Sequence, residues 1–131
     1  MNKRGFTLIE LIIVIIVIGI LAMVAIPQYL RATERARIGK GINALGLISK
    51  AEKMYRAQND TYIAANNSAL NDAAGLGGFV ELGPVVVDPD FDYAVTGTVS
   101  TFTAVATRTG GSYNGKLINM TDDGNLSQYG L

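Results

Sequence analysis

The chain has 131 residues, with 11 basic and 11 acidic side chains and neither histidine nor cysteine. That length suits one small domain plus an anchor. Balanced charge gives no sign of nucleic acid as the main partner. The lack of histidine removes the commonest general base and metal ligand, and the lack of cysteine excludes a disulfide staple.

The first element in the chain is the stretch Lys3-Arg4-Gly5-Phe6-Thr7-Leu8-Ile9-Glu10 with the apolar run behind it. From Leu11 to Ile26 no side chain is charged or strongly polar, and Gly19 is the one interruption. Counted from Phe6 the segment spans 21 residues, which as a helix is roughly 30 Å, the thickness of a bilayer's hydrocarbon core. Ile and Val are mediocre helix formers in water. In lipid a helix satisfies every backbone group internally, so helix is the expected state. Glu10 is the anomaly, because an unpaired carboxylate in such a segment costs several kcal/mol. On residues alone, Glu10 either snorkels to the interface or meets a cation. An ordinary secretory signal is the competing reading of this end. The run is long for an h-region, however, and Ala25-Ile26-Pro27 is a poor cleavage site. Lys3 and Arg4 face Arg31, Arg35 and Arg37 across the run, so flanking charge leaves orientation open.

Gly5-Phe6-Thr7-Leu8-Ile9-Glu10, after a basic leader and before an apolar helix that reaches Ala25-Ile26-Pro27, resembles the processing site of the type IV pilin family. That family includes pilus subunits and the pseudopilins of type II secretion. The likeness covers about residues 1–40 closely and the remaining layout loosely. It implies a leader of residues 1–5, cleavage between Gly5 and Phe6 by a prepilin peptidase, and N-methylation of Phe6. It also implies that Glu10 meets the Phe6 amine, usually of a neighbouring subunit, during assembly. It further implies a cytoplasmic leader and an extracytoplasmic head. Many pilins close a C-terminal loop with a disulfide, which this chain, lacking cysteine, does not do.

Residues 6–27 form the expected transmembrane and assembly helix. Gly19 loosens its backbone, and Pro27 removes a hydrogen bond and crowds the preceding turn, so the stretch between them is the weak point of the helix. The resemblance implies that this stretch can unwind in a filament; a retained proline kink is the alternative. Residues 28–59 continue the helix as an amphipathic segment. Ile38, Ile42, Leu45, Ile48, Ala51 and Tyr55 recur at three- or four-residue steps, while Arg35, Lys50, Lys53 and Arg56 take the opposite face. Gly39, Gly41 and Gly46 weaken it, and Asn59-Asp60 is the expected stop. One helix of that extent would be about 80 Å long, sensible only if neighbours bury half of it.

Residues 60–90 read as a connecting loop, with a helical turn near Ser68–Ala74 capped by Ser68. Residues 91–131 read as the head, with strands at 91–96, 102–109 and 116–121, a possible last strand at 125–129, and turns at Gly97, Gly110-Gly111 and Asp123-Gly124. The expected fold is α+β: a long N-terminal helix against a three- or four-stranded antiparallel sheet. Charge is uneven. Seven basic residues between Arg31 and Arg56 face only Glu34 and Glu52, whereas beyond Ala57 eight acids face Arg108 and Lys116. This unevenness has two readings: attraction between stalk and head of neighbouring subunits, or simple solvation of each face.

Asp88, Asp90 and Asp92 stand at alternate positions, as at the opening of an EF-hand loop. Tyr93 and Val99 occupy the places of its turn glycine and bidentate glutamate, so the candidate is at most an irregular calcium site, with Asp122 or Asp123 as a further ligand. The simpler reading is an acidic, solvated turn, and no cofactor is expected. Asp122-Asp123-Gly124 is a hairpin turn before it is a hydrolytic pair. Nucleophile-elbow, phosphate-loop and metal-cluster motifs are missing, so an enzyme is not indicated. Tyr55, Tyr62, Tyr93, Tyr113 and Tyr129 read as core or rim residues.

The expectation is a type IV pilus subunit serving adhesion, twitching motility or DNA uptake, with a type II secretion pseudopilin as the alternative and a membrane-anchored binding protein as a third class. Expected partners are copies of the chain, a prepilin peptidase and methyltransferase, an inner-membrane assembly platform and the bilayer. The expected location is the bacterial inner membrane before assembly, then an extracellular pilus or periplasmic pseudopilus.

Overall fold

A computed structural model describes residues 5–131. The chain divides into two units, one ending at Arg35 and the other spanning Ala36–Leu131. A single helix, α1 (Leu8–Asn59), belongs in part to each.

In the first unit, every residue between Phe6 and Leu30 except Ala22 is exposed. An 18-residue window of α1 has mean hydropathy 3.2 and none of it is buried. A soluble surface does not tolerate so large a contiguous apolar patch, so this segment needs lipid or protein around it. It is long and apolar enough to cross a membrane. Pro27 lies inside the continuous helix, where it has no N–H to give to the carbonyl of Met23.

In the second unit, the expected apolar stripe of α1 is the one that packs. Leu45, Ile48 and Ala51 are fully buried, Ile38 nearly so, and Ile42 and Tyr55 pack at the margin. Five strands form one antiparallel sheet in chain order: β1 (Ala65–Asn66), β2 (Phe91–Gly97), β3 (Phe102–Arg108), β4 (Leu117–Thr121) and β5 (Leu126–Ser127). Alternation along β2 and β3 turns Phe91, Tyr93, Val95, Phe102, Ala104 and Ala106 inward, and Ile118 of β4 joins them. The register aligns Tyr93 with Ala106 and Ala106 with Ile118, so large and small side chains alternate across the buried face.

Gly41 is not merely a weak helix former. A Cβ there would stand 3.2 Å from Ile118 Cδ1 and 3.3 Å from the Phe91 ring, so the missing side chain lets helix and sheet approach closely.

Two expectations are corrected. The sheet has five strands rather than three or four. The extra strand, β1, lies in the stretch read as loop, and its two residues, paired with Val95 and Ala94, are too few to show a period. The helical turn at Ser68–Ala74 is a series of turns followed by a 3-10 turn at Leu76–Gly78 and a short helix, α2 (Gly83–Val86). Asn66, not Ser68, organises that start: its Oδ1 accepts from the Ala69 N–H at 3.3 Å and the Ser68 hydroxyl at 2.8 Å. Leu70, Leu76 and Leu82 anchor this segment in the core, each fully buried.

Candidate assembly site and the charged network of the second unit

The N-terminal site is built on the first turn of α1. Gly5 and Phe6 precede the helix and are exposed, Phe6 at 83%. Thr7 and Glu10 form a reciprocal capping box. Glu10 Oε2 accepts from the Thr7 N–H at 2.9 Å and the Thr7 hydroxyl at 2.7 Å, while the Glu10 N–H donates to Thr7 Oγ1 at 3.3 Å. Two of the helix's orphan N–H groups are thereby satisfied. The sequence reading missed this role, although the Thr-x-x-Glu spacing before an apolar run is its signature. Glu10 therefore already faces the backbone of the residue that follows Phe6. An amine created at Phe6 would arise one residue before the capped N–H.

The acidic trio behaves differently from a calcium loop. Lys40 Nζ on α1 sits 2.7 Å from Asp88 Oδ1 and 3.3 Å from Asp90 Oδ2. Arg37 Nε reaches Asp90 Oδ1 at 3.2 Å, and Arg108 Nη1 lies 3.7 Å from the same oxygen. Asp88 also accepts the Asp90 N–H and the Tyr93 hydroxyl, each at 2.8 Å. Asp92 belongs to β2, whose alternation exposes it, and its contact is a long hydrogen bond from Asn67. The alternate spacing thus brings Asp88 and Asp90 together and sends Asp92 elsewhere. Among the described residues no group of three or more carboxylates is gathered for a metal. Asp122 and Asp123 lie in the β4–β5 turn, where Gly124 (φ 82°) donates its N–H to the Thr121 carbonyl at 2.9 Å.

This network sets local proton affinities. The hydrogen bond to Asp88 raises the Lys40 pKa, against the cost of its own desolvation. Burial works against the Asp88 charge, but the bonds from Lys40, Asp90 and Tyr93 outweigh it and hold the Asp88 pKa below its ordinary value. Burial, then the bond to Asp88, pushes the Tyr93 phenol up. Arg108, which the sequence placed in a strand without a role, is buried. It donates to the Asp90 and Thr109 carbonyls and lies over the Phe91 ring. Basic helix and acidic loop attract each other here within one unit of one chain.

Glu34 and Glu52 of α1 are buried too, Glu52 fully enclosed. Glu52 Oε2 accepts the Ile63 N–H at 3.1 Å. Burial pushes its pKa from the ordinary 4.5 to about 7, opposed only by that bond. Its neighbour Ala51 was recognised as core, but a helical period cannot show that an adjacent carboxyl is buried too.

The model of the prokaryotic N-terminal methylation motif matches residues 1–26. The type IV wide pilus major component PilA4 of Thermus thermophilus is 45% identical over 69 residues, 53% of this chain and 52% of that one. The type IV major pilin protein PilA of Myxococcus xanthus is 41% identical over 61 residues, 47% of this chain and 28% of that one. The type II secretion system core protein G of Escherichia coli is 34% identical over 65 residues, 50% of this chain and 45% of that one. The matched part of the chain thus spans about half or less of the length of these curated relatives. No solved structure matches. In its N-terminal segment, with the methylation motif and the apolar helix behind it, the chain is similar to type IV pilins and to the type II secretion core protein G.

Proposed function

We propose that the chain is a structural subunit of a type IV pilus that polymerises through the first part of α1. One observation carries this reading: the apolar surface that opens α1 is wholly unburied in the single chain, and it lies within the stretch that matches the N-terminal methylation motif. A peptidase would cut the exposed Gly5–Phe6 bond, and Phe6 would be N-methylated. The new amine and the Glu10 carboxylate would relieve each other's charge in apolar surroundings, which makes the pair a register device more than a source of stability. The bilayer holds residues 6–27 until subunits leave it, and helix-on-helix packing then replaces lipid. Gly19 and Pro27 supply the stretch that can unwind as packing tightens. The role is one of assembly rather than catalysis, with an assembly platform in the inner membrane and a pilus outside the cell. The likeness to the secretion core protein G supports a second reading, a periplasmic pseudopilus.

The test is Glu10→Ala in producing cells. Filaments should disappear from the sheared surface fraction while the processed chain stays in the membrane. Filaments at the normal level with Ala at position 10 would defeat the reading.

A further inference from the structure

We propose that Arg31 and Arg35 form a clamp for the phosphates of anionic phospholipid headgroups, on the side of the bilayer where α1 leaves it. Two observations carry the proposal: the height of the two cations along α1, and their lack of a partner within the chain.

The unbroken apolar run ends at Ile26. Pro27, Gln28 and Tyr29 follow, and Tyr29 is 69% exposed. A tyrosine just past an apolar span is a common occupant of the membrane interface. Arg31 stands five residues after Ile26 and Arg35 nine. Along a helix that is roughly 7 and 13 Å beyond the hydrocarbon edge, where the headgroup layer is itself roughly 5–8 Å deep. Helical side chains lean toward the N-terminus, here toward the bilayer, and the long arginine stem extends that reach. Both guanidinium groups can thus meet headgroup phosphates. Four residues apart, they share one face of the helix.

The next cations along α1 are already engaged. Arg37 Nε lies 3.2 Å from Asp90, and Lys40 Nζ 2.7 Å from Asp88. Arg31 and Arg35 are exposed, and among the described residues neither forms an ion pair. No acid stands between Glu10 and Glu34, and Glu34 is buried. The two charges therefore face outward without a counter-charge. A guanidinium offers a planar fork that matches two phosphate oxygens, which suits arginine at both positions. A carboxylate of a second copy is the rival anion. The lipid is favoured because the pair stands at headgroup height in a single chain, before any assembly. The clamp rests on α1 crossing a bilayer, which the pilus and pseudopilus readings share, and not on the choice between them.

The test is a nuclear magnetic resonance titration of the full, isotope-labelled chain in maltoside micelles, which carry no phosphate. Short-chain phosphatidylglycerol is added, and phosphatidylcholine or inorganic phosphate in parallel. The Arg31 and Arg35 side-chain Nε–H signals should shift and saturate with phosphatidylglycerol alone. Each arginine near an anionic surface strengthens binding about fivefold, so Arg31→Gln with Arg35→Gln should raise the half-saturating phosphatidylglycerol about thirtyfold. Lys50→Gln with Lys53→Gln removes as much charge from exposed positions of the second unit and should leave it unchanged. Equal shifts with phosphatidylcholine or inorganic phosphate, or wild-type affinity in the arginine double variant, overturn the proposal. Arginine shifts that grow with protein concentration in the absence of lipid would assign the pair to a second copy instead. Water contact at the amides throughout residues 8–26 would defeat the bilayer span itself, and the clamp with it.

Discussion

Replacement of Asp88 by Ala tests how the second unit is pinned together. The side chain is 2% exposed and accepts three hydrogen bonds, from Lys40, the Asp90 N–H and the Tyr93 hydroxyl. Ala leaves the phenol of Tyr93, itself 1% exposed, and the Asp90 amide without their acceptor. Each buried donor left unpaired costs about 1–3 kcal/mol, so the loss should be about 2–6 kcal/mol. In that variant Lys40, 47% exposed, turns to water at little cost, whereas Lys40→Ala leaves the Asp88 carboxylate its two other donors and should cost the smaller amount, about 1–3 kcal/mol. The assay is urea unfolding of the detergent-solubilised chain, followed by the near-ultraviolet dichroism of its tyrosines. The pH dependence has a definite sign. The folded Asp88 pKa lies below its unfolded value of 3.8, so its stabilisation is present above that pH and is lost as pH falls through the folded value. Asp88→Ala should therefore flatten the acid limb of the stability curve. A loss from Lys40→Ala equal to that from Asp88→Ala would refute the reasoning, because the partly exposed ion pair and not the buried acceptor would then hold the unit.

Glu52 acts at the other end of the pH scale. Its folded pKa is raised from 4.5 to about 7, so the unfolded chain releases this proton first. The stability of the second unit should fall by about 3 kcal/mol between pH 4.5 and 7 and then level off; Glu52→Gln should lack that slope in the same urea series. Gly41→Val should destabilise the second unit by about 1–3 kcal/mol through overpacking against Ile118 and Phe91, read as a lowered melting temperature. Millimolar calcium should leave the wild-type melting temperature unchanged, since Lys40 and Arg37 already meet the charges of Asp88 and Asp90; a rise of several degrees would restore the calcium reading.

The long helix was legible because its signals are repetitive. An unbroken apolar run and the Ile38–Tyr55 periodicity each involve many residues that agree. The three longer strands showed for the same reason, through alternation bounded by Gly97, Gly110 and Gly124. Pairs that depend on the fold were not legible. Nothing near Lys40 in the chain points to Asp88, 48 residues on. Nothing in a helical period tells a buried Glu52 from a solvated one. β1 is fixed by its partner β2 and not by its own two residues. The helix glycines were read as weaknesses because propensity is local, whereas the use of Gly41 is a distance to a sheet some 50 to 80 residues away. Glu10 stood out at once as an apolar-segment carboxylate. Its capping of Thr7 is written in the Thr-x-x-Glu spacing itself.

The most direct measurement is the intact mass and N-terminal sequence of the chain in sheared surface material and in membranes of producing cells. Chains that begin at methylated Phe6 should be present in the sheared fraction, as a surface pilin requires. Methylated chains confined to membranes would favour the pseudopilus instead. Chains that still begin at Met1 in both fractions would contradict processing at Gly5–Phe6, and with it assembly through Phe6 and Glu10.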